Sequence, residues 1–196
     1  MNAVEALRAG LPAILPADTV YGLFALPTED ACARLYALKG REPRKPSALL
    51  AADLDALLDA LPELAGRDAA IARALLPGPY TLILANPAGR YPWLAGESRT
   101  TIGVRVPKLP EASAAVVAAV GALASTSANA PGGPDPRRLD DVPAEIRAAA
   151  GAEVDGGALP GTPSTVLDFT GETPRVLREG AAPSAEAIAR ARAALA

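Results

Sequence analysis

Apolar positions along the chain fall into short runs separated by Gly, Pro and polar turns, and helical and strand-like spacings alternate from end to end. Asn2 is placed to cap a short helix over 3–9, which Gly10 stops. PAILP at 12–16 has the length and apolar character of a strand. Thr28 opens a second helix with Glu29 and Asp30 in its first turn. Leu35 and Leu38 supply its apolar face, and Gly40 ends it beside Lys39 and Arg41. SALLA (47–51) predicts a strand, followed by helices over 53–61 and 68–76. YTLILA (80–85), TIGVRV (101–106) and GALAST (121–126) predict three more strands, the last two separated by a helix over 111–120. STVLDF (164–169) and PRVLR (174–178) predict a hairpin about Thr170-Gly171, and a last helix runs over 184–195 with Ser184 as its cap. This alternation predicts an α/β fold, a twisted open sheet of mixed direction flanked by helices. No repeat or linker divides the chain, so 1–196 is expected to form one domain.

Composition narrows the chemistry by what is missing. The 196 residues include no His and a single Cys, Cys32. That excludes a Ser-His-Asp or Cys-His nucleophile, a His-ligated zinc or haem, an intrachain disulfide and a Cys-ligated cluster. The available chemistry is that of hydroxyls, carboxylates, Lys, Arg and backbone dipoles. A net charge of −3 argues against wholesale electrostatic binding of nucleic acid, although a local basic patch remains compatible with it. No apolar run approaches the ~18 residues of a membrane span, and MNAVEALRAG lacks the layout of a secretory signal. The cytoplasm is the expected location, and no membrane partner is expected.

Five polar clusters sit where the predicted strands end, the usual place for ligands of open α/β sheets. PADTVYG (16–22) puts an Asp-Thr pair straight after a strand, with an ordinary capped turn as the structural alternative. KGREPRKP (39–46) places four cations in seven residues between restraining prolines, a composition suited to a polyphosphate or to a solvated loop. In TIGVRVP (101–107), Arg105 lies between two valines. A guanidinium buried there needs an anion, either an internal carboxylate or that of a substrate, while an edge strand would leave it in water. STSAN (125–129), followed by Gly132 and Gly133, offers short donors for phosphate or carboxylate oxygens. It is neither a Walker loop nor a nucleophile elbow. GTPSTV (161–166) and LREG (177–180) become neighbours if their strands pair.

Seven segments stand in order: PADTVYG, KGREPRKP, PGPYT (77–81), IGVRVP (102–107), SAN (127–129), STV (164–166) and LREG. In this succession the chain resembles the L-threonylcarbamoyladenylate synthase family, the YrdC-like proteins, over about residues 12–180 and in their short single-domain form. The resemblance implies a twisted open α/β sheet with a concave, basic surface. It implies an enzyme, a nucleotidyltransferase, that forms threonylcarbamoyl-AMP and pyrophosphate from L-threonine, bicarbonate and ATP. The product serves N6-threonylcarbamoyladenosine modification of tRNA through downstream threonylcarbamoyltransferase proteins, and contact with tRNA itself is a further expectation.

By the same resemblance, Thr19, Arg105, Ser125 and Ser164 surround L-threonine. Arg41, Lys45, Thr101, Ser127 and Arg178 bind ATP, and Lys39 and Arg41 lend electrostatic support. Magnesium is expected to arrive on the ATP phosphates, with no protein metal site, no organic cofactor and no assignable general base. Asp135 aligns with a nucleotide-contacting loop and carries no assignment. The chain departs from the family pattern at Ala17, Glu42, Ser47 and Pro131, where Thr, Pro, Leu and Ser are usual. Leu50 stands where longer relatives carry a His. Two other functions fit parts of the pattern: a double-stranded RNA or tRNA binding module without catalysis, and a carbamoyl-adenylating relative. The low charge and 4% aromatic content weigh against the first.

Overall fold

The computed structural model describes residues 1–40 and 45–196. Its strands are β1 (Ala13–Pro16), β2 (Tyr21–Ala25), β3 (Ala48–Leu50), β4 (Tyr80–Ala85), β5 (Thr101–Arg105), β6 (Leu123–Ser127), β7 (Ala152–Glu153), β8 (Thr165–Asp168) and β9 (Arg175–Arg178). They form a sheet in the order β7-β1-β2-β6-β3-β5-β4-β8-β9. The pairs β1–β7, β3–β5 and β4–β8 are parallel and the others antiparallel, so the sheet is mixed, as the alternating pattern predicts.

The helices are α1 (Ala3–Arg8), α2 (Glu29–Lys39), α3 (Leu54–Ala60), α4 (Gly66–Leu75), α5 (Glu111–Val120), α6 (Ala144–Ala149) and α7 (Ser184–Ala193). Their ends follow local chemistry. Asn2 and Glu5 form a reciprocal capping box at α1. Thr28 Oγ1 accepts the Ala31 N–H at α2, which Gly40 closes in the left-handed conformation. At α7 the expectation is corrected: Pro183 is the N-cap, and Ser184, already helical, gives its N–H to the Glu179 carboxylate. Three elements escape the sequence pattern. β2 hides in an apolar stretch that Gly22 interrupts, whereas α6 and β7 are too short to show a period.

Strand alternation divides the sheet into two unlike faces. Ile14, Leu23, Leu49, Leu82, Val104 and Ala124 point to one side, where α2, α3, α4, α6 and α7 cover them in a continuous core. Leu15, Phe24, Leu50 and Leu123 point to the other, where α1 and α5 cover only one end. Beyond those two helices this second face is floored by Gly22, Ala48 and Gly103 and opens as a hollow. No helix among the described residues is long and apolar enough to cross a membrane.

Candidate active site

The hollow, about 260 Å³, lies on the uncovered face rather than beyond the strand ends. Small floor residues create it. A Cβ on Gly103 would stand 3.3 Å from Ile83 Cδ1 and 3.7 Å from Ala48 Cα, filling space that the sheet leaves open. The sheet order sets polar groups around this floor in a row: Ser125 on β6, Arg105 at the end of β5, Thr81 on β4, Ser164 ahead of β8 and Arg178 on β9.

Arg105 is the buried cation of the site. Its Nη2 donates to Asp18 Oδ1 at 2.7 Å, with both side chains about nine-tenths buried (11% and 9% exposed). Its Nε is buried without a partner among the described residues. Burial lowers the pKa of the guanidinium, Asp18 offsets that loss, and Arg178 across the hollow adds to it. Of the two anions offered by the sequence, the internal carboxylate is present: Asp18 takes one nitrogen, while the buried Nε–H has no partner among the described residues.

Arg178 is the second cation. Burial lowers its pKa and Asp135 on the facing loop partly restores it. Its Nε donates to the Ser164 carbonyl at 3.0 Å, and its Nη2 to Ser164 Oγ at 3.1 Å. The hairpin expected from the sequence supplies this contact, since β8 and β9 pair antiparallel across a bulge between Val166 and Leu167. Gly180, in LREG, has a spatial reason: a Cβ there would run into the Pro163 carbonyl and the Ser164 backbone.

Thr19 is buried in the turn after β1, where its carbonyl accepts the Gly161 N–H at 2.9 Å and its hydroxyl lies 3.3 Å from Asp18 Oδ1. Ser125, also buried, donates to the Ala48 carbonyl at 3.3 Å. Lys39 is turned inward. Its ammonium donates to the Ser127 carbonyl, to Ser127 Oγ at 3.3 Å and to Asn129 Oδ1 at 2.7 Å, so it holds the SAN turn in shape.

Of the residues that the family resemblance implies, Thr19, Arg105, Ser125, Ser127, Ser164 and Arg178 converge on the hollow. Thr101 does not line it. It lies at the opposite end of β5 from Arg105, with its hydroxyl donating to the Ser98 carbonyl. Lys45 is exposed beside the hollow's Pro46–Ala48 wall, and Arg41 lies outside the described residues with Glu42, Pro43 and Arg44. Of the departures, Ala17 is buried in the wall, and Ser47 has a buried hydroxyl without a partner among the described residues. Sequence reasoning asked for an internal carboxylate as one possible partner of Arg105 but did not identify it as Asp18, and it missed the position of Thr81, whose signal is the PGPYT segment.

A mixed open α/β sheet that sets one ion-paired guanidinium, a second hydrogen-bonded only to neutral groups, and several hydroxyls over a floor of small residues has the makings of a site for a small anionic ligand. The chain belongs to the Sua5/YciO/YrdC family, whose model, described as telomere recombination, matches residues 5–180. It is 41% identical over 184 residues to the threonylcarbamoyl-AMP synthase of Chromohalobacter salexigens, covering 89% of this chain and 95% of that protein. Among solved structures, P. abyssi Sua5 complexed with L-threonine matches with a TM-score of 0.79 at 28% identity, over 96% of this chain and 56% of that one. Escherichia coli YciO matches with a TM-score of 0.78 at 28% identity, over 92% of this chain and 88% of that one.

Proposed function

We propose that this chain is a threonylcarbamoyl-AMP synthase. It converts L-threonine, bicarbonate and ATP into threonylcarbamoyl-adenylate and pyrophosphate, for N6-threonylcarbamoyladenosine modification of tRNA. The observation that carries this reading is the buried Arg105, held by Asp18 at one nitrogen and unpartnered at Nε beside the hollow. The names of the relatives, including the Sua5 structure complexed with L-threonine, support it.

In this reading the α-carboxylate of L-threonine pairs with the free edge of Arg105, and Thr19, Ser125 and Ser164 close around the amino acid. Its amine and bicarbonate form an N–C bond with loss of water, giving a carbamate. A carbamate oxygen then bonds to the α-phosphorus of ATP while the bond to the β-phosphate oxygen breaks, and pyrophosphate leaves. Such a transfer requires alignment and charge neutralisation rather than a protein nucleophile, in keeping with a chain that has no His. Arg41, Lys45, Ser127 and Arg178 take the nucleotide, and Lys39 supports Ser127 from beneath. Magnesium arrives on the phosphates as part of the substrate. The product is consumed by tRNA threonylcarbamoyltransferase proteins, and we assign the reaction to the cytoplasm.

The test is pyrophosphate release from ATP and bicarbonate, with and without L-threonine. Threonine-dependent release is expected. Release that depends on carbamoyl phosphate, or none under any condition, would overturn the reading.

A further inference from the structure

The polar row across the open face contains one hydroxyl that the assignments above leave unused. Thr81 lies at the start of β4, and the β4–β5 register that pairs Leu82 with Val104 sets Thr81 against Arg105 on the same face. Side chains opposed in this way have Cβ atoms about 5 Å apart. On its other side Thr81 pairs with Val166, and its Oγ1 is 2.8 Å from Ser164 Oγ. Arg178 can only donate, so its Nη2 contact at 3.1 Å makes Ser164 Oγ an acceptor. One hydrogen is shared between Thr81 and Ser164, which leaves the pair with one further hydrogen and free lone pairs toward the hollow. Such a pair both donates and accepts, which matches an alcohol and not a methyl group. Ile83 and Val166 give the adjoining floor an apolar surface.

We propose that Thr81, acting with Ser164, reads the β-hydroxyl of the amino-acid substrate and so selects β-hydroxy amino acids over their deoxy analogues. The proposal rests on L-threonine being the substrate. With the α-carboxylate on Arg105, the β-carbon is two bonds from the carboxylate carbon and faces the opposed Thr81. Ile83 and Val166 receive the methyl group. A pocket that hydrogen-bonds a substrate hydroxyl discriminates strongly against an analogue lacking it, because its own polar groups then go unpaired.

The experiment compares L-threonine with L-2-aminobutyrate, which lacks only the hydroxyl, on the native chain, Thr81→Val and Thr81→Ser. Calorimetric binding and pyrophosphate release are both read, with circular dichroism as the check on folding. The native chain is expected to prefer L-threonine by at least about 30-fold. Thr81→Val should reduce that preference to about 3-fold or less, leaving 2-aminobutyrate and ATP affinities unchanged, and Thr81→Ser should restore it. An unchanged preference in Thr81→Val, or equal loss of both amino acids, would overturn the proposal. If the native chain binds L-threonine without threonine-dependent pyrophosphate release, the synthase reading falls while the binding ratios still decide the role of Thr81. If it binds no L-threonine, both fall.

Discussion

Arg105 and Asp18, 87 positions apart in the chain, meet as a 2.7 Å ion pair at the edge of the hollow, with both side chains about nine-tenths buried. Removing one member of a buried pair strands the other charge, at a cost of about 3–5 kcal/mol. Asp18→Asn, which keeps the shape and deletes the charge, should therefore lower unfolding stability by about 3 kcal/mol, read by urea denaturation.

Arg105→Ala should weaken L-threonine far more than ATP, because the free Nε edge is the carboxylate site in the proposed function. Calorimetry with each ligand separately checks this, and equal losses for both would remove the assignment.

Arg41→Ala should reduce turnover at least about 100-fold with the fold intact, as expected for a donor that stabilises developing charge. Near-normal pyrophosphate release from the folded variant would remove that role.

Gly180→Ala should impair the site through the backbone, since the added methyl would press on Pro163 and Ser164. Both Tm and the affinity for L-threonine should fall. Gly171→Ala, in the hairpin turn with no atom nearer than 3.8 Å to the added methyl, should leave L-threonine binding unchanged.

Asp168 predicts an acid limb of stability. Burial pushes its carboxyl up, but the Thr170 hydroxyl and N–H together with Arg175 outweigh this and hold it below the usual carboxylate range. A carboxyl depressed in the folded state adds stability above its unfolded pKa of about 3.9 and loses it as the pH falls through the folded value. The stability gap between the native chain and Asp168→Asn should be level from about pH 8 to 5 and close below about pH 4, measured by urea unfolding at each pH.

Legibility in the sequence followed the range of the interactions. The caps at Asn2 and Thr28, the stop at Gly40 and the strands at 80–85 and 101–105 depend on neighbours within a few residues, and the pattern predicts them. β2 was not legible, because Gly22 interrupts a run that reads equally as turn or strand. The cap at Ser184 failed because the helix starts one residue earlier than the pattern suggests: Pro183 is the N-cap, and Ser184, already helical, gives its own N–H to Glu179 five residues away.

By itself the sequence determined the mixed α/β class, the exclusion of His and metal-thiolate chemistry, and the order of motifs that marks the family. Each depends on residue type and short-range spacing. Only the tertiary structure decided that α1 and α5 stop short of covering the second face, leaving the hollow on the sheet rather than at its edge. It also decided that Asp18 pairs with Arg105 beside the hollow, that Lys39 turns inward to hold Ser127, and that Thr81 stands between Arg105 and Ser164. Strand order and register bring these groups together, and both are set by which apolar faces bury one another over the whole chain.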